Sequence, residues 1–195
     1  DELIKAGRKP LLIKGGFDIK DSVLAGISYA NAMAEIDIQM KENNFMADHL
    51  FVTAANMTQA GCDLGSKILG WPTRIQGISP VYWEMNIAED IARICNKGAE
   101  MLDVNIEFNA DMINNDNSYV GENYGVPTPA GIEAMKLIAK KEGIILDPVY
   151  TSKTFSALLD YVKKGIIKKN QNVIFIFTGG GPAVFAYNEE ITTIK

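Results

Sequence analysis

Short apolar runs alternate with stretches of helical periodicity along the chain. Runs at 10–14 (PLLIK), 49–55 (HLFVTAA), 73–79 (TRIQGIS) and 172–181 (NVIFIFTGGG) predict strands. Residues 21–44 predict a long helix with small residues on one face. Helices are also predicted at 58–70, ended by Gly70, and at 86–98, closed by Gly98. Residues 128–143 carry Thr128 at the N-cap, Pro129 at the first helical position and Gly143 just past the end. A further helix is predicted from Asp147, which can cap, and Pro148, which suits the first helical position; Leu158, Leu159 and Val162 mark its apolar stripe. The Asn- and Asp-rich segment 100–120 has no clear period. Continuous Val, Ile and Phe runs between helices indicate an α/β fold, a mostly parallel sheet with helices on both faces. Without internal repeats or linkers, residues 1–195 read as a single α/β domain.

Composition narrows the class. The 195 residues are 47% hydrophobic, which is globular rather than disordered. Nineteen basic against 24 acidic residues give a net charge of −5, which argues against nucleic acid or an acidic membrane surface as partner. No run reaches the roughly 18 apolar residues of a membrane span, and no signal peptide is visible. Cys62 and Cys95 form no CxxC pair and are expected buried and reduced, in a cytoplasmic protein. His49, the one histidine, excludes a histidine-based metal cluster. It starts a predicted strand, where a surface position is expected, with a place in a catalytic triad as the alternative.

Candidate chemistry sits where parallel sheets bind ligands, at the carboxyl ends of strands. Gly15-Gly16 follow the first predicted strand. Residues 53–58 (TAANMT) follow the second and open a helix, so they form either an ordinary turn capped by Asn56 or Thr58, or a phosphate site made of free backbone N–H groups. Thr178-Gly179-Gly180-Gly181 follow the last strand and admit close approach by a ligand or by another backbone. Tyr124 and Tyr150 stand beside helix starts, either as packed rings with wet hydroxyls or as ligand contacts. The helix after Asp147 opens on Tyr150, Thr151, Ser152 and Lys153, more polar side chains than capping requires.

The strings YVGENYGVPTPAGIEAMKLIAKKEGIILDPVYTSKTFSALLDYVKKG and VIFIFTGGGPAVFAY, across residues 119–187, resemble D-cysteine desulfhydrase and 1-aminocyclopropane-1-carboxylate (ACC) deaminase. These are pyridoxal-phosphate (PLP) enzymes of the tryptophan synthase β fold. AGRKPLLIKGG and TQAG extend the likeness to most of the chain. The resemblance implies PLP as cofactor, with its phosphate on Thr53, Ala54, Ala55, Asn56, Met57 and Thr58. It implies substrate-facing roles for Tyr124 and Tyr150 in proton transfer or leaving-group activation. It also implies that Thr151 and Thr178 lie near the pyridine nitrogen, with Gly179 and Gly180 among the cofactor-binding residues. The deaminases carry Glu and Leu at the positions of the two threonines and the desulfhydrases carry hydroxyl residues, so this chain leans to the desulfhydrase side. A hydroxyl on a neutral ring gives a weaker electron sink than a carboxylate, which suffices for β-elimination of a thiol.

Two departures qualify the resemblance. The family's Schiff-base lysine, in a GNK motif near its N-terminus, has no match here, nor has its substrate-carboxylate serine loop. Asn96-Lys97-Gly98 is a helix end in another context, and Lys153 reads as structural. The phosphate loop replaces family glycines with Ala54, Ala55, Asn56 and Met57. The chain is therefore expected to be the C-terminal part of a larger PLP enzyme and inactive alone. It would act on a small amino acid and assemble as a homo-oligomer or with a missing N-terminal half. The alternative is a non-catalytic or truncated α/β domain that binds a small phosphorylated ligand or a partner chain.

Overall fold

The computed structural model describes residues 2–10 and 19–193. Residues 11–14 of the first predicted strand, and Gly15-Gly16, lie outside them. The elements are α1 (Glu2–Lys5), α2 (Ile19–Glu42), β1 (His49–Thr53), α3 (Met57–Ile68), β2 (Arg74–Ile78), α4 (Ile87–Met101), β3 (Asn115–Asp116), α5 (Pro129–Glu142), α6 (Thr151–Lys163), β4 (Val173–Ile176) and α7 (Asn188–Thr193). All strand pairings are parallel, in the order β3-β2-β1-β4. The register places Thr53 opposite Ile78, and Val52 opposite Ile176. The turns that leave β1, β2 and β4 therefore emerge side by side.

Strand alternation divides the core into two layers. Leu50 and Val52 pack with Met33, Cys62 and Ile75 under α2 and α3. Phe51 points the other way, to Ala157 of α6, and meets the Tyr161 ring edge-on at 5.4 Å. Thr53 follows the Phe51 face, its hydroxyl 2.5 Å from that of Thr154. The small-residue face of α2 is the seat of α3. A Cβ on Gly61 would lie 2.2 Å from the Gly26 carbonyl oxygen, and one on Gly65 would lie 2.8 Å from the Ala30 oxygen. Glycines four residues apart let the two backbones touch, which sets the height of the α3 N-terminus above the sheet.

Three expectations need correction. Helix α4 does not close at Gly98 but runs to Met101. Gly98 is inside it, at a point where a Cβ would come within 2.7 Å of the Leu64 side chain, so this glycine serves packing. Asp103, at φ 55°, takes the left-handed turn instead. His49 is buried at the amino end of β1, not at the surface, with Nε2 3.2 Å from Gln171 Oε1. Helix α6 begins at Thr151 rather than at Pro148, because Asp147 first closes a turn over 148–150. The segment 100–120 resolves into a 3-10 turn at Ala110–Met112 and the two-residue β3. Gln59 of α3 holds β3 in place: its Nε2 donates to the Asn114 carbonyl at 2.9 Å, and its Oε1 accepts from Asn115 Nδ2 at 2.7 Å. Gly77 leaves the room this side chain needs.

Cys62 and Cys95 are free and buried, and burial pushes both thiols above their ordinary range. No helix among the described residues is long and apolar enough to cross a membrane. Asp63, on α3, is buried with Oδ2 unpaired, and burial pushes its carboxyl up to about 8. The folded chain thus keeps a proton there that the unfolded chain releases near pH 4. The stabilisation is full below that pH and is lost as pH rises towards 8. Asp63→Asn is expected to flatten this decline, worth on the order of a few kcal/mol. Urea midpoints of the two proteins at pH 5 and pH 8 measure it; parallel slopes would show that Asp63 is not its source.

Candidate active site

The turns at the carboxyl ends of β1 and β4 enclose a cavity of about 360 Å³, within the size range of small-molecule sites. Its walls are Thr53, Ala55, Asn56, Met57 and Thr58 from the first turn, Pro80 after β2, Tyr150, and Thr178, Gly179 and Gly180 after β4. Nine of the twelve residues singled out in the sequence thus meet at one place. Ala54, Thr151 and Tyr124 do not line it. Ala54 is buried, and its N–H donates to the Ile78 carbonyl at 3.1 Å, continuing the ladder past β1.

Thr151 is held by Asp147. Its hydroxyl donates to Asp147 Oδ1 at 2.6 Å and accepts from the Asp147 N–H at 3.0 Å. A neutral pyridine nitrogen needs a donor, and the one hydrogen on Thr151 is already committed. Of the two threonines expected at the ring nitrogen, Thr178 is the one that lines the cavity. Asp147 also accepts from the N–H groups of Val149, Tyr150 and Thr151 at 2.8–2.9 Å. One carboxylate thereby closes the turn over 148–150 and delivers the chain into α6, so the helix starts later than the Asp-Pro signal predicts.

The polar first turn of α6 divides its tasks. Only Tyr150 faces the cavity. Ser152 is buried next to Gly131. Lys153 is fully buried, and its Nζ donates to the Val120 carbonyl at 2.6 Å and to that of Asn123 at 3.4 Å. It pins the turn that carries Tyr124. Burial lowers its pKa, against the attraction of Asp147. The Tyr124 and Tyr150 hydroxyls share a short hydrogen bond with the rings edge-on, centroids 5.9 Å apart. Burial, with help from Tyr124, pushes Tyr150 up to about 12, so it is protonated at neutral pH.

The first turn of α3 offers donors of the kind that hold a phosphate, with the Asp90 carboxylate behind them. Helix α3 is 12 residues long, and its first two residues, Met57 and Thr58, line the cavity, so the positive end of its dipole lies at this wall. One of these donors is in use, since Asn56 Oδ1 accepts from the Met57 N–H at 2.7 Å. Asn56 Nδ2 is tied to Asp90 Oδ2 at 3.1 Å. At Gly179, φ 102°, nothing lies within 4 Å of where a Cβ would stand, which leaves open space for a flat ring. None of the ten wall residues is a lysine.

The model of the family described as pyridoxal-phosphate dependent enzyme matches residues 1–179. The chain belongs to this family. Among curated relatives, an ACC deaminase of Burkholderia lata is 31% identical over 186 residues, covering 95% of this chain and 54% of that protein. An ACC deaminase of Ralstonia nicotianae is 30% identical over 96% of this chain and 55% of its own length. A crystal structure of an ACC deaminase homologue superposes over the whole chain with a TM-score of 0.82 at 30% identity, and 56% of that chain is covered. Processed threonine deaminase isoform 2 of Solanum lycopersicum, at 18% identity and TM-score 0.53 over 99% of this chain and 51% of its own, shares the fold. The chain spans about half the length of the curated relatives it matches. Its sheet is that of the fold type II PLP enzymes.

Sequence reasoning missed Pro80 and the aromatic stretch after it, Tyr82-Trp83, at the end of β2. The signal was available: two adjacent aromatic residues closely follow a strand end, where loops are ordinarily polar.

The geometry of the walls sets two expected outcomes. A Cβ on Gly180, at φ 87°, would come within 2.9 Å of the Asp147 side chain. Gly180→Ala is therefore expected to cost about 1–3 kcal/mol, read from urea denaturation; a cost below a few tenths would show that the turn is not held against Asp147. Asn56→Gly returns the Met57 N–H to the cavity at little cost in helix capping. It is expected to raise PLP affinity several-fold in equilibrium dialysis, with Asn56→Asp lowering it through like charge. The reverse order would remove the phosphate from this helix.

Proposed function

We propose that the chain forms the cofactor-binding half of a PLP-dependent lyase site of the D-cysteine desulfhydrase type, which eliminates a thiol from an amino acid and releases ammonia. The observation that carries this reading is the convergence of the β1 turn, the β4 glycines and Tyr150 on one cavity at the carboxyl ends of parallel strands. When bound, PLP supplies an electron sink for the carbon that loses its proton.

In this reading the first turn of α3 and the Thr58 hydroxyl hold the phosphate. The Thr178 hydroxyl donates to the ring nitrogen, which favours elimination because the leaving group carries the electrons away. Tyr150 keeps its proton at neutral pH and is suited to give it to a departing thiolate, with Tyr124 as its relay. The lysine that would hold the cofactor covalently is absent from the walls, so a longer parent chain or a partner would supply it. The same absence favours a second reading, in which the chain binds a small phosphorylated ligand without covalent chemistry.

The purified chain is expected to bind PLP reversibly. Inorganic phosphate should compete, desalting should remove the colour, and borohydride should leave no pyridoxyl group on a lysine near the cavity. Failure to bind PLP would sink the cofactor reading. A borohydride-trapped lysine near the cavity would overturn its assignment as half a site.

A further inference from the structure

The loop between β2 and α4 is built as a wall. At its start, Ser79 is fully buried and its hydroxyl donates to the Val81 carbonyl at 2.7 Å. In its middle, the Tyr82 hydroxyl donates to the Gly121 carbonyl at 3.1 Å, tying the loop to the turn that carries Tyr124. At its end, Asn86 caps α4 by accepting from the Ala88 N–H at 3.1 Å. Pinned at three points, the loop lines one side of a cleft of about 790 Å³ with Tyr82, Trp83 and Met85, while Tyr124 and Tyr150 line the other.

This cleft continues the cofactor cavity. The two share Ala55, Pro80 and Tyr150, so a molecule anchored in the smaller one extends past Tyr150 into the larger. The cleft has more than twice the volume of the cavity. Tyr82, Met85 and Tyr124 are each more than half exposed in this chain, so an occupant of the cleft meets apolar surface. Its one charged lining residue is Glu84, which disfavours a second carboxylate on the ligand. The Trp83 indole N–H is buried without an acceptor among the described residues, so this ring gains from any occupant or shift that brings one. A substituent as small as a cyclopropane ring or a bare thiol would leave most of this surface wet.

We propose that the substrate is a cysteine-type amino acid carrying a large apolar group, preferably aromatic, on its sulfur, that group leaving as the thiolate and seated between Tyr82, Trp83 and Met85 on one side and the Tyr124–Tyr150 pair on the other. The proposal rests on the cofactor reading above. It does not need the lysine, because reduced cofactor–substrate conjugates carry the amino acid on the pyridoxyl group without one.

The test compares three probes on the chain by isothermal titration: PLP, phosphopyridoxyl-alanine and phosphopyridoxyl-phenylalanine, each conjugate made from racemic amino acid. The phenylalanine conjugate is expected to bind about tenfold or more tighter than the alanine conjugate, since its ring buries a large additional apolar area. Met85→Ser should shrink that ratio while leaving the alanine conjugate unchanged, and Tyr82→Ala should shrink it more than Tyr82→Phe, which loses the same Gly121 bond but keeps the ring. Equal affinities of the two conjugates, with PLP still bound, would overturn the proposal and leave the cofactor reading standing. A ratio that survives both Met85→Ser and Tyr82→Ala would do the same. No binding by any of the three probes would overturn both.

Discussion

The site depends on one buried carboxylate. Asp147 accepts three consecutive backbone N–H groups and the Thr151 hydroxyl, and packs its side chain against Gly180. Each contact fixes a different part. The N–H bonds set the turn that aims Tyr150 at the cavity. The Thr151 bond sets the direction in which α6 leaves. The Gly180 contact holds the β4 turn at a fixed distance from both. Buried charges persist where they are fully hydrogen-bonded, and this one binds together two walls that lie far apart in the chain.

The sheet does the rest through register. Parallel pairing sets Thr53 opposite Ile78 and Val52 opposite Ile176, so the three turns that follow become neighbours without any side chain bringing them there. The Gly61 and Gly65 contacts then lower α3 onto α2 until its N-terminus faces the same edge. Phosphate-binding geometry follows from two packing facts, strand register and glycine spacing, neither of which is itself chemical.

The legible part of the fold followed local rules. The helix at Pro129–Glu142 has its Thr cap, its Pro and its αL glycine where the sequence places them, because all three signals act within a few residues. Apolar runs marked β1, β2 and β4 for the same reason. Failures came where a distant partner decided. Gly98 reads as a stop until Leu64 is known to lie against it. The two-residue β3 cannot be seen at all, since it exists through Gln59, which is remote in the chain. In the site, the turns and Tyr150 were legible as strand-end and helix-start anomalies. The commitment of Thr151 to Asp147 was not, because a threonine four residues after an aspartate looks the same whether it faces inward or towards a ligand. The burial of Lys153 under Val120 and Asn123 gives its conspicuous position a structural explanation.

Asn56 sits where stability and binding compete. A helix N-terminus is stabilised when its first N–H groups are satisfied, and the Asn56 carboxamide does this for Met57 at 2.7 Å. A phosphate site requires the same donors to be free, which is why glycine serves such loops: it leaves them to the ligand and brings no oxygen of its own. The present loop is closer to the first solution. Its carboxamide is also held by Asp90, which places a carboxylate near the would-be phosphate. Any anion bound there must displace a satisfied cap or share its donors, and must tolerate the acid behind it. Its affinity then depends on what the rest of the molecule buries. On the proposal above, the burden of recognition moves from the phosphate end to the apolar cleft beyond Tyr150.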